Sequence, residues 1–167
     1  VILNRRQWLL GMSAMPVCGW AGAGAPPKKD RVDIAMDRGA GFIQKMQEVN
    51  GAFNDPKARE SARNGYAMTA LGLLALCSIG HQPSEPGKIG ASMGRALDFI
   101  LRNDPRRGEL EYFGSDGSRM YGHGITTLCL TEMIGMAVSK RQEARIRSVA
   151  QKAVTLIMRS QRVRKSN

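Results

Sequence analysis

Arg38-Gly39-Ala40-Gly41-Phe42-Ile43, then Gln47, then Asn50-Gly51-Ala52-Phe53: this stretch decides how the chain folds, because it recurs. A second copy runs Arg95-Ala96-Leu97-Asp98-Phe99-Ile100, with Asp104 and, further on, Gly108 and Tyr112. A third runs Lys152-Ala153-Val154-Thr155-Leu156-Ile157 and reaches Gln161. The interval from Phe42 to Phe99 and from Phe99 to Leu156 is 57 residues in each case. Positions 38, 95 and 152 are all basic, and 47, 104 and 161 are Gln, Asp and Gln. Self-similarity at a fixed period is the mark of stacked supersecondary units.

Between the copies lies a second series. Tyr66-Ala67-Met68-Thr69-Ala70-Leu71-Gly72-Leu73 aligns with Tyr121-Gly122-His123-Gly124-Ile125-Thr126-Thr127-Leu128 at a spacing of 55, and Ile79-Gly80 and Ile134-Gly135 keep that register. The two series differ in character. Residues 89–103 place Ile89, Met93, Ala96, Leu97 and Ile100 on one helical face. Residues 142–160 do the same with Ile146, Val149, Ala150, Ala153, Leu156 and Ile157, leaving Arg145, Arg147, Lys152 and Arg159 for solvent. These read as amphipathic outer helices. Tyr66 to Gly80 holds no charge and Tyr121 to Ser139 holds only Glu132, so these read as inner helices apolar all round. The expected fold class is all-α: helical hairpins alternating outer amphipathic and inner apolar helices, stacked as an α/α toroid or solenoid.

The first copy resembles the glutamine–aromatic repeat of the terpenoid cyclase and protein prenyltransferase superfamily: basic, small, two spacers, aromatic, aliphatic, three spacers, Gln, then Gly, spacer, aromatic. Phe53 stands where that family usually has Trp. The resemblance covers residues 32–161 and gives Phe42, Gln47, Gly51, Phe53, Phe99 and Gln161 structural roles, with the Gln47 amide bonding loose helix-end groups under a packed aromatic. Five helices make two and a half hairpins, which predicts a partial toroid, an incomplete chain, and self-association through apolar surface at Leu71, Leu74, Leu128 and Met133.

Ahead of the repeats, Asn4-Arg5-Arg6-Gln7-Trp8-Leu9-Leu10 resembles a twin-arginine export signal. Arg5 and Arg6 are followed by a moderately apolar run with Ala-Gly-Ala at 21–23 and 23–25, small side chains suited to a signal peptidase. Residues 1–25 are therefore expected to be the signal, with cleavage after Ala23, and residues 26–31 a linker. Pro16 and several glycines make the run a poor membrane span. The expected product is an exported protein that does not cross a membrane.

The net charge of +11 suggests a nucleic-acid binder until it is located. Residues 30–139 carry 12 basic and 13 acidic groups, whereas residues 140–167 carry 9 basic groups and 1 acid. The excess sits in one helix face and the basic tail, residues 162–167, so no nucleic-acid partner is expected. Cys77 and Cys129 lie in apolar stretches and read as small core residues rather than a bridge or metal pair.

The resemblance implies cyclase chemistry through an acidic cluster, or prenyl transfer through zinc held by Asp, Cys and His. Neither set is present: Asp30, Asp33 and Asp37 fall in a linker and a helix start, and His123 has no Asp-spacer-Cys companion. No metal and no cofactor are expected, and no catalytic residue is assigned. The candidate ligand-binding residues are Tyr121 and His123, entering an inner helix from the loop Gly114-Ser115-Asp116-Gly117-Ser118, and Glu132, the one inner-helix charge. His123 capping or bonding the loop, and Glu132 pairing with a neighbouring helix, are the structural alternatives. The functional expectation is a cavity between inner helices that binds a hydrophobic, isoprenoid-like molecule. The alternatives are a scaffold binding protein or polysaccharide, and an enzyme whose catalytic half lies elsewhere.

Overall fold

Asp30 begins a helix by capping it. Its carboxylate accepts the N–H of Asp33 at 2.8 Å, and the Asp33 carboxylate accepts the N–H of Asp30 at 3.1 Å. This reciprocal box satisfies two donors that a first turn otherwise leaves unpaired. The computed structural model describes residues 30–54, 64–102 and 111–163, which contain the helices α1 (Arg31–Lys45), α2 (Gly65–Ser78), α3 (Lys88–Leu101), α4 (Arg119–Glu132) and α5 (Lys140–Ser160). A 3-10 turn at Gly114–Asp116 leads into α4. Among the described residues no strand forms, and the chain is all-helical. Arg5, Arg6 and the rest of the expected signal lie outside the described residues.

The packing separates the two kinds of helix. α2 packs against α4, while α3 touches α1 on one side and α5 on the other, and α3 and α5 also rest on α2 and α4 respectively. The core between them holds Leu73, Leu76, Met93, Leu97, Ile100, Leu130, Met133 and Ile146, all closed to solvent. Met93, Ala96, Leu97 and Ile100 point inward from α3 because their spacing returns one face every turn. Ser139 caps α5 by accepting the N–H of Gln142 at 3.2 Å.

Gln47 fastens the outer row. Its Nε2 donates to the Gly51 carbonyl at 3.0 Å and to the Ser92 carbonyl at 2.8 Å. Its Oε1 accepts from the Ser92 hydroxyl at 2.9 Å and from the Arg95 guanidinium at 2.5 Å. Gly51 permits this approach: it sits at φ 98°, and a Cβ there would lie 2.5 Å from the Arg95 carbonyl oxygen. Phe53 is buried beside it, with its N–H donated to Thr69 Oγ1 at 3.1 Å and its ring lying against Gly72.

Three repeat positions differ in environment from their counterparts. Phe99 packs on Tyr66, ring centroids 5.3 Å apart, but its counterpart Phe42 is 60% exposed, because no described helix lies on that flank of α1. Gln161 is exposed where it caps α5, with no described helix to receive its amide as α3 receives that of Gln47. In the second copy the buried aromatic is Phe113, while Tyr112 is 37% exposed.

The inner register also shifts. Tyr66 is partly buried in an aromatic cluster and Tyr121 is 86% exposed, so positions 55 apart do not share an environment. Positions 57 apart do. Thr69 and Thr126 are both closed to solvent, as are Leu73 with Leu130 and Leu76 with Met133, while Leu71 and Leu128 are both open. A shift of two residues turns a side chain by roughly 200° about a helix, which sends an inward position outward. The ends obey the other interval: Gly80 and Gly135, both at positive φ, follow α2 and α4. Helix α4 has therefore begun and ended earlier on an otherwise equivalent face.

Candidate functional site

Helices α2 and α4 are apolar but not enclosed. Met68 and Leu71 on α2 are 45% and 46% exposed, and Leu128 on α4 is 54% exposed. Leu74 and Ile125 lie partly buried beside them, whereas Met133, expected at the surface, is closed to solvent. The exposed positions fall on the side of each helix away from the core, at spacings of three or four residues and multiples of them. Tyr121 stands at the start of α4 and Glu132 at its end, separated by about 16 Å of helix.

Glu132 is exposed, which corrects the expectation of a carboxylate inside an apolar interior. The expectation carried the inner helix to Ser139, but α4 stops at Glu132 and Gly135 turns the chain outward. The carboxylate therefore occupies the last turn, where the chain leaves the core.

His123 is fully buried and both ring nitrogens are engaged. Nδ1 accepts the N–H of Phe113 at 3.3 Å, and Nε2 lies 3.1 Å from the Ala153 carbonyl oxygen. A backbone N–H can only donate and a carbonyl can only accept, which sets the neutral tautomer with its proton on Nε2. Burial pushes the His123 pKa below its ordinary value, against the smaller opposing effect of the Ala153 carbonyl. The ring also stacks on Phe113, centroids 6.1 Å apart. His123 thus ties the loop before α4 to α5 and offers no free nitrogen to a ligand. Tyr121, two residues earlier, faces solvent, so the three candidate residues do not converge.

Asp116, named above only as part of the loop before α4, has a long-range structural role. Its Oδ1 accepts the N–H and hydroxyl of Ser118, and its Oδ2 accepts the N–H of Tyr66 at 3.0 Å. It therefore caps the first turn of α2 from 50 residues away. No sequence signal pointed to it: Asn64 is a strong N-cap residue by type, yet its side chain makes no cap bond in the structure and leaves the α2 amides to Asp116.

Cys129 is buried and Cys77 partly so, and neither is bridged. Burial, with Glu132 and Glu85 adding to it, pushes the Cys77 thiol up to about 11, which suppresses the reactive thiolate. Among the described residues no helix is long and apolar enough to cross a membrane. Two clefts open instead on the outer row. One of about 610 Å3 lies between α3 and α5, and one of about 450 Å3 lies between α1 and α3. Neither is lined by Tyr121, His123 or Glu132. Comparison of the chain with protein families, with curated proteins and with solved structures finds no match.

Proposed function

We propose that the chain is an exported α/α-repeat binding protein of the squalene-cyclase and prenyltransferase toroid type. Its inner-helix face would receive an apolar, isoprenoid-like molecule. The observation that carries this reading is the open apolar strip of Met68, Leu71 and Leu128 on helices that bear no cation beyond the first residue of α4. Two further features support the repeat: the shared environments at an interval of 57, and the Gln47 amide bonded to the next outer helix. Binding rather than catalysis is proposed because His123 is consumed by structural bonds and Glu132 stands in solvent. The ligand would lie along about 16 Å of α4, with the Tyr121 phenol at one end.

The test is titration with a fluorescent farnesyl alcohol derivative. Leu71→Asp combined with Leu128→Asp puts charge on an exposed strip, so helicity should persist while affinity drops by roughly a factor of ten or more. Unchanged binding in a folded double variant would remove the inner face as the site. A wild type that ignores the probe would remove the apolar ligand itself.

A further inference from the structure

The outer row carries a feature that the inner-face reading does not use. Arg95, on α3, lines both outer clefts. Lys45 and Lys88 join it in the cleft between α1 and α3, and Arg141 and Arg145 join it in the cleft between α3 and α5. All five cations are exposed. The two acids in the larger cleft are already occupied. Asp98 accepts from Gln142 Nε2 at 2.9 Å, while Glu85 contacts His81 Nδ1 at 2.8 Å and accepts the N–H of Gln82 at 3.3 Å. The result is a run of positive charge across three helices, passing through two connected depressions instead of spreading over a convex face.

We infer that this track is a docking groove for an extended acidic peptide segment of a partner protein. Three features select that chemistry. Guanidinium groups present forked donors that match carboxylates, and Arg95 and Arg145 spend only part of their donor sets on Gln47 and the Leu101 carbonyl. Among the described residues no aromatic side chain lines either cleft, which disfavours the stacking that nucleobases and sugar rings use. The exposed Ala91 lies on the floor shared by both clefts, and its single methyl leaves room for a peptide backbone to approach. Neighbouring helices lie about 10 Å apart, a distance covered by about three residues of extended chain. A segment of roughly six residues with acidic side chains about three apart would reach both clefts.

The probe is a fluorescein-labelled hexaglutamate, titrated into the full chain by anisotropy at low and at near-physiological salt. Lys88→Glu with Arg141→Glu should weaken binding at least about tenfold, whereas Arg147→Glu with Arg162→Glu, an equal charge change outside both clefts, should weaken it less than about threefold. The milder Lys88→Gln with Arg141→Gln serves if the reversal disturbs folding, and an intermediate loss is then expected. Polygalacturonate and a single-stranded oligonucleotide of matched charge complete the experiment. Equal losses in the two charge-reversal pairs would reduce the effect to net charge and overturn the groove. Tighter binding of either other polymer through Lys88 and Arg141 would overturn the peptide assignment, and no binding by the wild type would overturn both.

Discussion

Gln47 Oε1 accepts the Arg95 guanidinium at 2.5 Å across 48 residues of sequence, while the same amide's nitrogen serves carbonyls on both sides of the contact. One side chain thereby ties the end of α1 to Ser92 and Arg95 within α3. Gln47→Leu keeps the bulk but strands the Ser92 and Gly51 carbonyls in a partly buried place. A loss of about 2–3 kcal/mol is expected, read from the urea midpoint at unchanged slope. Gln47→Glu should cost at least as much, because a carboxylate retains the Arg95 partner but meets two carbonyls with no proton to give. A midpoint unmoved in both variants would show that the clamp adds nothing to stability.

Glycine substitutions on α2 and α4 should have opposite signs. A Cβ on Gly72 would lie 2.5 Å from Phe53 Cδ2, and the Phe53 ring is buried with little room to move. Gly72→Ala should therefore destabilise by about 1–3 kcal/mol. Nothing lies within 4 Å of a Cβ on Gly124, inside α4, so Gly124→Ala should stabilise by about 0.5–1 kcal/mol through helix propensity. Thermal melts of the two variants on either side of the wild type are the expected record. A neutral Gly72→Ala would mean that the Phe53 aromatic is not held against α2.

How much of this was readable in advance depended on the range of the interaction. The outer helices read from Ile89 and Ile146 appear within two residues of expectation, because a 3.6-residue period is a local property. The resemblance implied a bonding role for Gln47 at a helix end, but its main partners here, Ser92 and Arg95, lie in the next copy, out of reach of a local reading. Glu132 was misplaced for a local reason as well: an uncharged run does not say where a helix stops, and Gly135 rather than hydropathy ends α4. The Asp116 cap on Tyr66 and the His123 bond to Ala153 were out of reach. Each joins a polar side chain to a distant backbone group, and a backbone group carries no sequence signature.

The His123 tautomer makes stability depend on pH. Burial lowers the folded pKa below the ordinary value of 6.5, so between the two values the unfolded chain binds more protons than the folded one. The stabilisation from a neutral His123 is full above about pH 6.5, is lost progressively as pH falls toward the folded pKa, and levels off below it. The steepest slope available to one such group is about 1.4 kcal/mol per pH unit. His123→Gln removes the titration, so its urea stability should change less between pH 7 and pH 5 than that of the wild type. Parallel pH profiles for the two proteins would contradict the buried neutral ring.

Thr69 and Thr126 offer the sharpest comparison, because the same residue stands at positions 57 apart, closed to solvent in both, with opposite bonding. Thr69 Oγ1 accepts the Phe53 N–H at 3.1 Å and donates to the Gly65 carbonyl at 2.7 Å, so the hydroxyl is fully used. Thr126 Oγ1 is buried with no partner. A valine in either place keeps the shape and the β-branch and deletes only the hydroxyl. At position 69 this leaves the Phe53 N–H buried and unpaired, and about 1–3 kcal/mol should be lost. At position 126 it removes an unsatisfied polar atom from the core, so the change should be neutral or stabilising by up to about 1 kcal/mol. Denaturation of Thr69→Val, Thr126→Val and the double variant would measure both effects. The double variant should equal the sum, since the two hydroxyls share no partner. A loss at Thr126 as large as that at Thr69 would mean that a donor reaches Thr126 as well, and that the two inner helices are bonded alike.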